Sequence, residues 1–454
     1  MTATQPDRFS FSAWNATRFF VPLFLQAASQ SLTYPLVGVV VAHGLHGPAE
    51  FSAFSQGFMI MFLIGTLGFG LVTTGMVYAK DRLGYLRFQK VNSLVILIVS
   101  AIQLLLALPL PAQIVFGRLV GIEGVQLEVA RWSMLFGLPA QIGFLIRNGA
   151  QVLLYNAHVT GLANSATILR IILTAILAPI FYACGLVGWT WGCLCLTIPV
   201  FLESGAMIWF ARPYAERLPR IDRSGERASV LEIFLFNIPL SLGGFLLSLS
   251  VFMLNAIINR VEDGPAMLAI HLIAIGLINP LSFGALRNQA VAIGFPQRDL
   301  SDQRTFLFAL ASGVVLALLL LLLTIPAVGH WYFCSIQNLS EAHGALARQI
   351  LWWAVPFLIF QALRGHAEGL AAYRHRPNAV LAGQAVFFGV LVVVLIALFH
   401  FGFPGHLMGI VALLCASVAT FLTIRLGLAL AWIENDPDFP KGNDANHPSP
   451  WHHR

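Results

Sequence analysis

Apolar residues in this chain come in long unbroken runs, with neither strict alternation nor a narrow amphipathic stripe. Six runs fall in the first half, near 19–42, 51–79, 91–111, 131–155, 162–183 and 187–210. Six more follow near 233–259, 266–293, 305–326, 347–371, 378–401 and 405–432. About 20 helical residues cross the hydrocarbon of a bilayer. Backbone groups in lipid must bond within their own segment, so each run is predicted to be a helix. The pattern therefore predicts an all-α polytopic membrane protein with twelve transmembrane helices.

The polar positions divide the runs. Residues 1–18 form a polar lead, 211–232 a charge-rich connector and 433–454 a polar tail whose low hydrophobicity favours disorder. The expected domains are a lobe over 19–210 and a second over 233–432. The two lobes repeat each other at an offset of 217 positions without a gap. Arg131, Pro139, Ile142, Arg147, Ala150, Leu153 and His158 all find their own residue type in the second half, as Arg348, Pro356, Ile359, Arg364, Ala367, Leu370 and His375. Pro22, Pro109, Gly185 and Gly188 likewise match Pro239, Pro326, Gly402 and Gly405. Six spans per lobe is an even number, so duplicated lobes insert the same way up, related by a pseudo-two-fold along the membrane normal.

Composition agrees with the pattern. Of 454 residues 58% are hydrophobic and 10% charged, with a mean hydropathy of +0.79. The net charge of +6 comes from Lys and Arg in the short segments between runs. They set topology and imply no nucleic-acid partner. Arg8, Arg18, Lys80, Arg82, Arg87, Lys90, the connector arginines, Arg298, Arg304, Arg374 and Arg376 fall on one side, which puts both termini in the cytoplasm of a plasma or inner membrane. The first run is too long for a signal-peptide core and has no small-residue cleavage site after it. The five cysteines show no paired spacing and read as small core residues, so no metal site is expected. No HExxH, P-loop, GxSxG or paired-carboxylate pattern is present, which argues against an enzyme and implies no cofactor.

Charges inside the runs carry the candidate chemistry. They are Arg147, Arg170, Glu203, Arg287, Arg364, Glu368 and Arg425. Such residues are costly in hydrocarbon and mark functional sites by default. Arg287 and Arg425 lie near helix ends and read as snorkelling side chains. Arg170 is deeper, and its expected partner is Glu203 on the next helix, a structural ion pair. Glu368 lies one turn after Arg364 and can pair with it. The equivalent of Glu368 is Gln151, which is expected to leave Arg147 without that partner. Arg147 and Arg364 are the leading substrate-binding candidates, with snorkelling as the competing expectation. Gln151, Glu368, Gln30, Tyr34 and Asn255 complete the binding set. Other polar residues within runs, such as Gln361 and Gln384, read as interhelical hydrogen bonds. Glu203, Glu368 and His271 are the candidates for coupling, because helices one and seven carry no carboxylate.

The lobe openings "VPLFLQAASQSL" and "NIPLSLGGFLLSLS", with "LPAQIGFLIRNGAQVLL" in the fourth run, resemble the flippase superfamily that includes the MATE exporters. The second-half runs "NIPLSLGGFLLSLSVFMLNAIINR" and "VPFLIFQALRGHAEGLAAYRHRPNAV" are most similar to the progressive-ankylosis transporters. The resemblance implies two parallel six-helix lobes and alternating access. MATE drug exporters place a coupling carboxylate in helix one or seven, which this chain lacks. The progressive-ankylosis resemblance implies export of organic anions such as nucleotides and citrate, with H+ or Na+ as a coupling ion. A small-molecule anion exporter in the lipid bilayer is thus the expected function. Alternatives within transport are a flippase of a lipid-linked anionic glycan and a MATE-type multidrug antiporter. A non-transporting membrane receptor or enzyme is the alternative outside it.

Overall fold

The computed structural model of the chain describes residues 11–29, 33–45, 48–120, 122–220, 228–258, 260–295, 302–336 and 339–433. Every regular element among these residues is a helix. The first half runs α1 (Ala13–Ser29), α2 (Thr33–Ala42), α3 (Pro48–Gly65), α4 (Leu71–Tyr78), α5 (Arg82–Leu106), a short α6 (Pro109–Ala112), α7 (Gly124–Phe136), α8 (Leu138–Asn156), α9 (Thr160–Ala183) and α10 (Trp189–Glu216). The second runs α11 (Val230–Ile258), α12 (Gly264–Ala285), α13 (Asn288–Gly294), α14 (Gln303–Leu322), a short α15 (Pro326–His330), α16 (Glu341–Tyr373), α17 (Pro377–His400) and α18 (Gly405–Ile433).

Among the described residues, eleven helical stretches are long and apolar enough to cross a membrane. The expected first span, 19–42, corresponds to α1 and α2, and residues 30–32 between them lie outside the described residues. The third span departs from expectation. It begins at Arg82, not near 91, because Asp81 caps it: the Asp81 carboxylate accepts from the Gly84 amide at 2.5 Å. Arg82, Arg87 and Lys90 therefore ride on the first turns of α5 and are not in a loop. The connector is also shorter than 211–232, since α10 continues to Glu216 and α11 starts at Val230. The expected tail lies outside the described residues beyond Ile433.

The recurring residues of the repeat have local causes. His158 and His375 both adopt left-handed φ, 56° and 55°, just after α8 and α16. The next amides close back onto the helix, Val159 to the Leu154 carbonyl and Arg376 to that of Ala371. This is a Schellman stop, in which one left-handed residue satisfies carbonyls that the helix end leaves open. Gly185 and Gly402, at φ 70° and 65°, stop α9 and α17 in the same way. Pro139 and Pro356 act differently. The first opens α8 just past the break at Gly137, while the second lies inside the unbroken α16.

By its internal contacts the chain divides into two compact units, one of residues 29–245 and one of residues 1–28 with 246–454. These boundaries fall inside α1 and α11, not at the connector. In the first unit the opening turns of α11 pack on α4: Thr74 Oγ1 donates to Asn237 Oδ1 at 3.2 Å, and Phe236 meets Tyr78 at 5.1 Å. In the second, the opening turns of α1 pack on the later helices, with Phe19 at 5.5 Å from Phe295 and Phe20 at 5.7 Å from Phe308. Residues 13–28 and 230–245 are equivalents in the repeat, so each unit takes its opening segment from the other sequence half.

Candidate functional site

Arg147 lies on α8, Arg170 on α9 and Glu203 on α10, all in the unit of residues 29–245. Their exposures are 8%, 2% and 0%. Snorkelling is not realised for Arg147, since its side chain is enclosed by neighbouring helices. Arg147 Nη1 donates to Glu203 Oε1 at 2.7 Å. Thr167 Oγ1 donates to the same oxygen, also at 2.7 Å. Arg170 Nε stands 3.6 Å from Glu203 Oε2, an ion pair without hydrogen-bond geometry. The expected Arg170–Glu203 pair is present, and Arg147, which has Gln151 where its equivalent has Glu368, finds its carboxylate in the same Glu203, at the shorter distance. Phe144 lies beneath both guanidinium groups, at 4.9 Å from that of Arg147 and 5.5 Å from that of Arg170.

Two guanidinium groups share one carboxylate here, so the cluster carries one net positive charge. Arg147 Nε, Arg170 Nε, Arg170 Nη2 and Glu203 Oε2 have no hydrogen-bond partner. Most buried polar groups in folded proteins are bonded, so each exception needs a reason. Three of these four are N–H donors on cations, which is what an incoming carboxylate or phosphate would satisfy.

Arg364, the repeat equivalent of Arg147, lies in the other unit and is 1% exposed. Its Nε donates to Glu368 Oε1 at 2.8 Å and its Nη2 to Gln384 Oε1 at 2.7 Å. Gln384 Nε2 donates to Glu368 Oε1 at 2.6 Å, closing the triangle. Phe387 stacks at 4.6 Å from the guanidinium. The predicted Arg364–Glu368 pair is present, and this cluster is neutral.

The other sequence candidates separate from these two clusters. Gln151 Nε2 donates to the Tyr155 hydroxyl at 2.5 Å. His271 is buried at 2% exposure, and its ring lies against Gly409. Asn255 is half-buried on α11. Gln30 and the side chain of Tyr34 lie outside the described residues. Thr167, Phe144 and Phe387 were missed as site residues. The repeat held a signal for Thr167 and Phe387, since Thr167 and Gln384 are equivalents, as are Arg170 and Phe387; the equivalent of Phe144 is Gln361.

A further charged group was also missed. Asp302 accepts from Arg425 Nη1 at 2.6 Å, and His366 Nε2 meets Thr305 Oγ1 at 3.0 Å and Asp302 Oδ2 at 3.9 Å. Arg425, expected to snorkel, keeps a side chain 36% exposed and is tethered to Asp302. Nearby Arg374 is pushed below its usual range by burial, with Asp302 acting in the opposite direction. Among the described residues no group of three or more His, Cys, Asp or Glu is placed to hold a metal.

No protein-family model and no curated protein sequence matches this chain. Solved structures do. A MOP superfamily transporter from Pyrococcus furiosus superposes with a TM-score of 0.71 at 18% identity, over 93% of this chain and 97% of that one. An outward-facing MATE family multidrug resistance transporter of the MOP superfamily gives 0.70 at 19% identity, over 93% and 97%. The eukaryotic MATE transporter AtDTX14 gives 0.70 at 15%, over 97% and 99%. At these identities the likeness establishes the fold, the two-lobed helical architecture of MATE and MOP transporters.

Proposed function

We propose that this chain is a secondary active transporter that works by alternating access and exports a small organic anion. The observation that carries the anion assignment is the uncompensated charge at Arg147, Arg170 and Glu203. An unpaired cation is costly in a low-dielectric interior and draws an anionic ligand, a headgroup or water. Guanidinium forks bind carboxylate and phosphate in a bidentate way, which gives orientation along with affinity. The shared fold supports transport as the activity, and polarity is not fixed by that fold: the Pyrococcus furiosus neighbour is described by a binding pocket of reverse polarity that suggests a different function. The cluster is enclosed by α8, α9 and α10, so solute reaches it in a conformation that parts these helices.

Coupling to H+ or Na+ falls to Glu203, Glu368 or His271, the first two already held by arginine. The distribution of basic residues supports a reading with both ends of the chain in the cytoplasm of a plasma or inner membrane. The test is efflux of labelled small carboxylates and phosphate esters from proteoliposomes, with and without pH and sodium gradients. Anion efflux that falls when Arg170 is replaced supports the assignment. Efflux of organic cations with none of anions overturns it, and so does movement of lipid-linked glycan alone.

A further inference from the structure

In the unit of residues 29–245, α5, α8 and α10 part to leave a cleft of about 590 Å3. Tyr85, Gln89, Asn92 and Ser93 form the α5 wall, and α10 contributes Gly205 and Arg212. The lining runs from Tyr85 to Ile96, about 17 Å along α5 at 1.5 Å per residue. At Gly205 an added Cβ would meet nothing within 4 Å, so the cleft is open there. Leu86, Ile208 and Trp209 are exposed beside it, at 51%, 48% and 71%. In a bilayer such side chains face acyl chains, so the cleft opens to lipid.

Its lining is mostly apolar, with polar side chains along the α5 wall and at the rim. Asn92 is 2% exposed, and its Nδ2 donates to the Leu145 carbonyl at 3.2 Å. Asn92 Oδ1 has no partner. Gln89 Nε2 is engaged by the Tyr85 hydroxyl at 2.5 Å. Arg212, at the rim, gives its Nε to Glu216 at 3.1 Å, while its fork holds further donors. Arg82, Arg87 and Lys90 lie on the same end of α5. The cleft thus offers a buried acceptor within, a guanidinium at the rim and apolar flanks outside.

The other sequence half shows the same location closed. At the repeat equivalents, Tyr85 becomes Asp302, Gln89 becomes Phe306, Gly205 becomes Leu422 and Ile208 becomes Arg425. Arg425 reaches Asp302 at 2.6 Å across this position, and its guanidinium lies 5.7 Å from the Phe306 ring. One copy of the duplicated unit bridges the gap with its own side chains. The other leaves it open, with an unsatisfied acceptor inside.

We propose that this cleft is a site for one phospholipid whose headgroup carries an N–H or O–H donor. The donor meets Asn92 Oδ1, the phosphate lies toward Arg212, and an acyl chain passes between Gly205 and Ile208. Phosphatidylethanolamine and phosphatidylglycerol have this chemistry, whereas phosphatidylcholine has no donor. The site is independent of the anion cluster and of the transport assignment.

The test is native mass spectrometry of the full chain in detergent, titrated with each of these three lipids. The expected result is one retained phosphatidylethanolamine or phosphatidylglycerol, with phosphatidylcholine at least tenfold weaker. Gly205→Phe should abolish the adduct, while Gly389→Phe should keep it, because that position is exposed and also has open space for a side chain. Arg212→Glu, on a side chain 76% exposed, should weaken phosphatidylglycerol tenfold and serves if Gly205→Phe does not fold. Equal binding of phosphatidylcholine, unchanged binding in Gly205→Phe or Arg212→Glu, or occupancy by detergent alone would overturn the proposal.

Discussion

Arg147 and Arg364 hold equivalent places in two copies of one unit, yet their surroundings differ in charge. Arg364 meets Glu368 four residues on, with Gln384 bonded to both. Arg147 meets Glu203 on another helix and shares it with Arg170. Three equivalences make the change. Glu368 is Gln151 in the first copy, Phe387 is Arg170, and Thr420 is Glu203. The carboxylate has moved from α16 to α10, and an aromatic that stacked on the arginine has become a second arginine. Thr420 now donates to the Gly383 and Ala416 carbonyls, an ordinary helix-packing role. A duplicated cluster can therefore keep its arginine while one copy stays satisfied and the other gains a charge with donors to spare. The satisfied copy suits a fixed support and the charged copy suits a ligand.

The largest effect is expected from Glu203→Gln. It leaves Arg147 and Arg170 buried without a carboxylate, a loss of about 3–5 kcal/mol by analogy with broken buried ion pairs. Thermal unfolding in detergent measures it, and an unchanged midpoint would mean the two arginines reach water. In the second copy, Arg364→Leu should cost a similar ~3–5 kcal/mol alone, because it strands Glu368. Arg364→Leu with Glu368→Leu should recover most of that loss, since apolar replacement of a whole buried pair is often neutral. If the double variant is as unstable as the single one, the neutral copy is more than a structural pair.

Arg170→Phe copies the second cluster into the first and makes it neutral. Stability should hold while anion flux falls about tenfold or more, equivalent to ~1.4 kcal/mol of lost interaction. Retained flux would separate the net charge from transport. Arg147→Lys keeps the charge and loses the fork, so a smaller but measurable loss in anion affinity is expected. The mildest change in stability is Gln384→Ala, which removes two charge-assisted hydrogen bonds but leaves the ion pair, and should cost about 1.5–3 kcal/mol. A loss as large as that of Arg364→Leu would show that Gln384, not the ion pair, holds the cluster together.

By itself the sequence determined the class of fold, because runs of about 20 apolar residues have few physical outcomes in or near a bilayer. It determined the duplication, and with it the paired stops at His158 and His375, since the offset of 217 is exact in the residues themselves. It also determined the Arg364–Glu368 pair, because one helical turn brings residues four apart onto one face. Tertiary structure decided what sequence spacing could not. Glu203 is 56 residues from Arg147, and which of two arginines it meets depends on how α8, α9 and α10 are rotated against each other. The start of α5 was set by one capping carboxylate at Asp81, a local competition that hydropathy does not register. The cleft beside Asn92 and its closure by Asp302 and Arg425 depend on side chains from three helices meeting or failing to meet. The membership of residues 13–28 and 230–245 in the compact units is likewise a matter of packing, because it rests on close contacts between particular side chains, such as Thr74 with Asn237 and Phe19 with Phe295, that hydropathy does not specify.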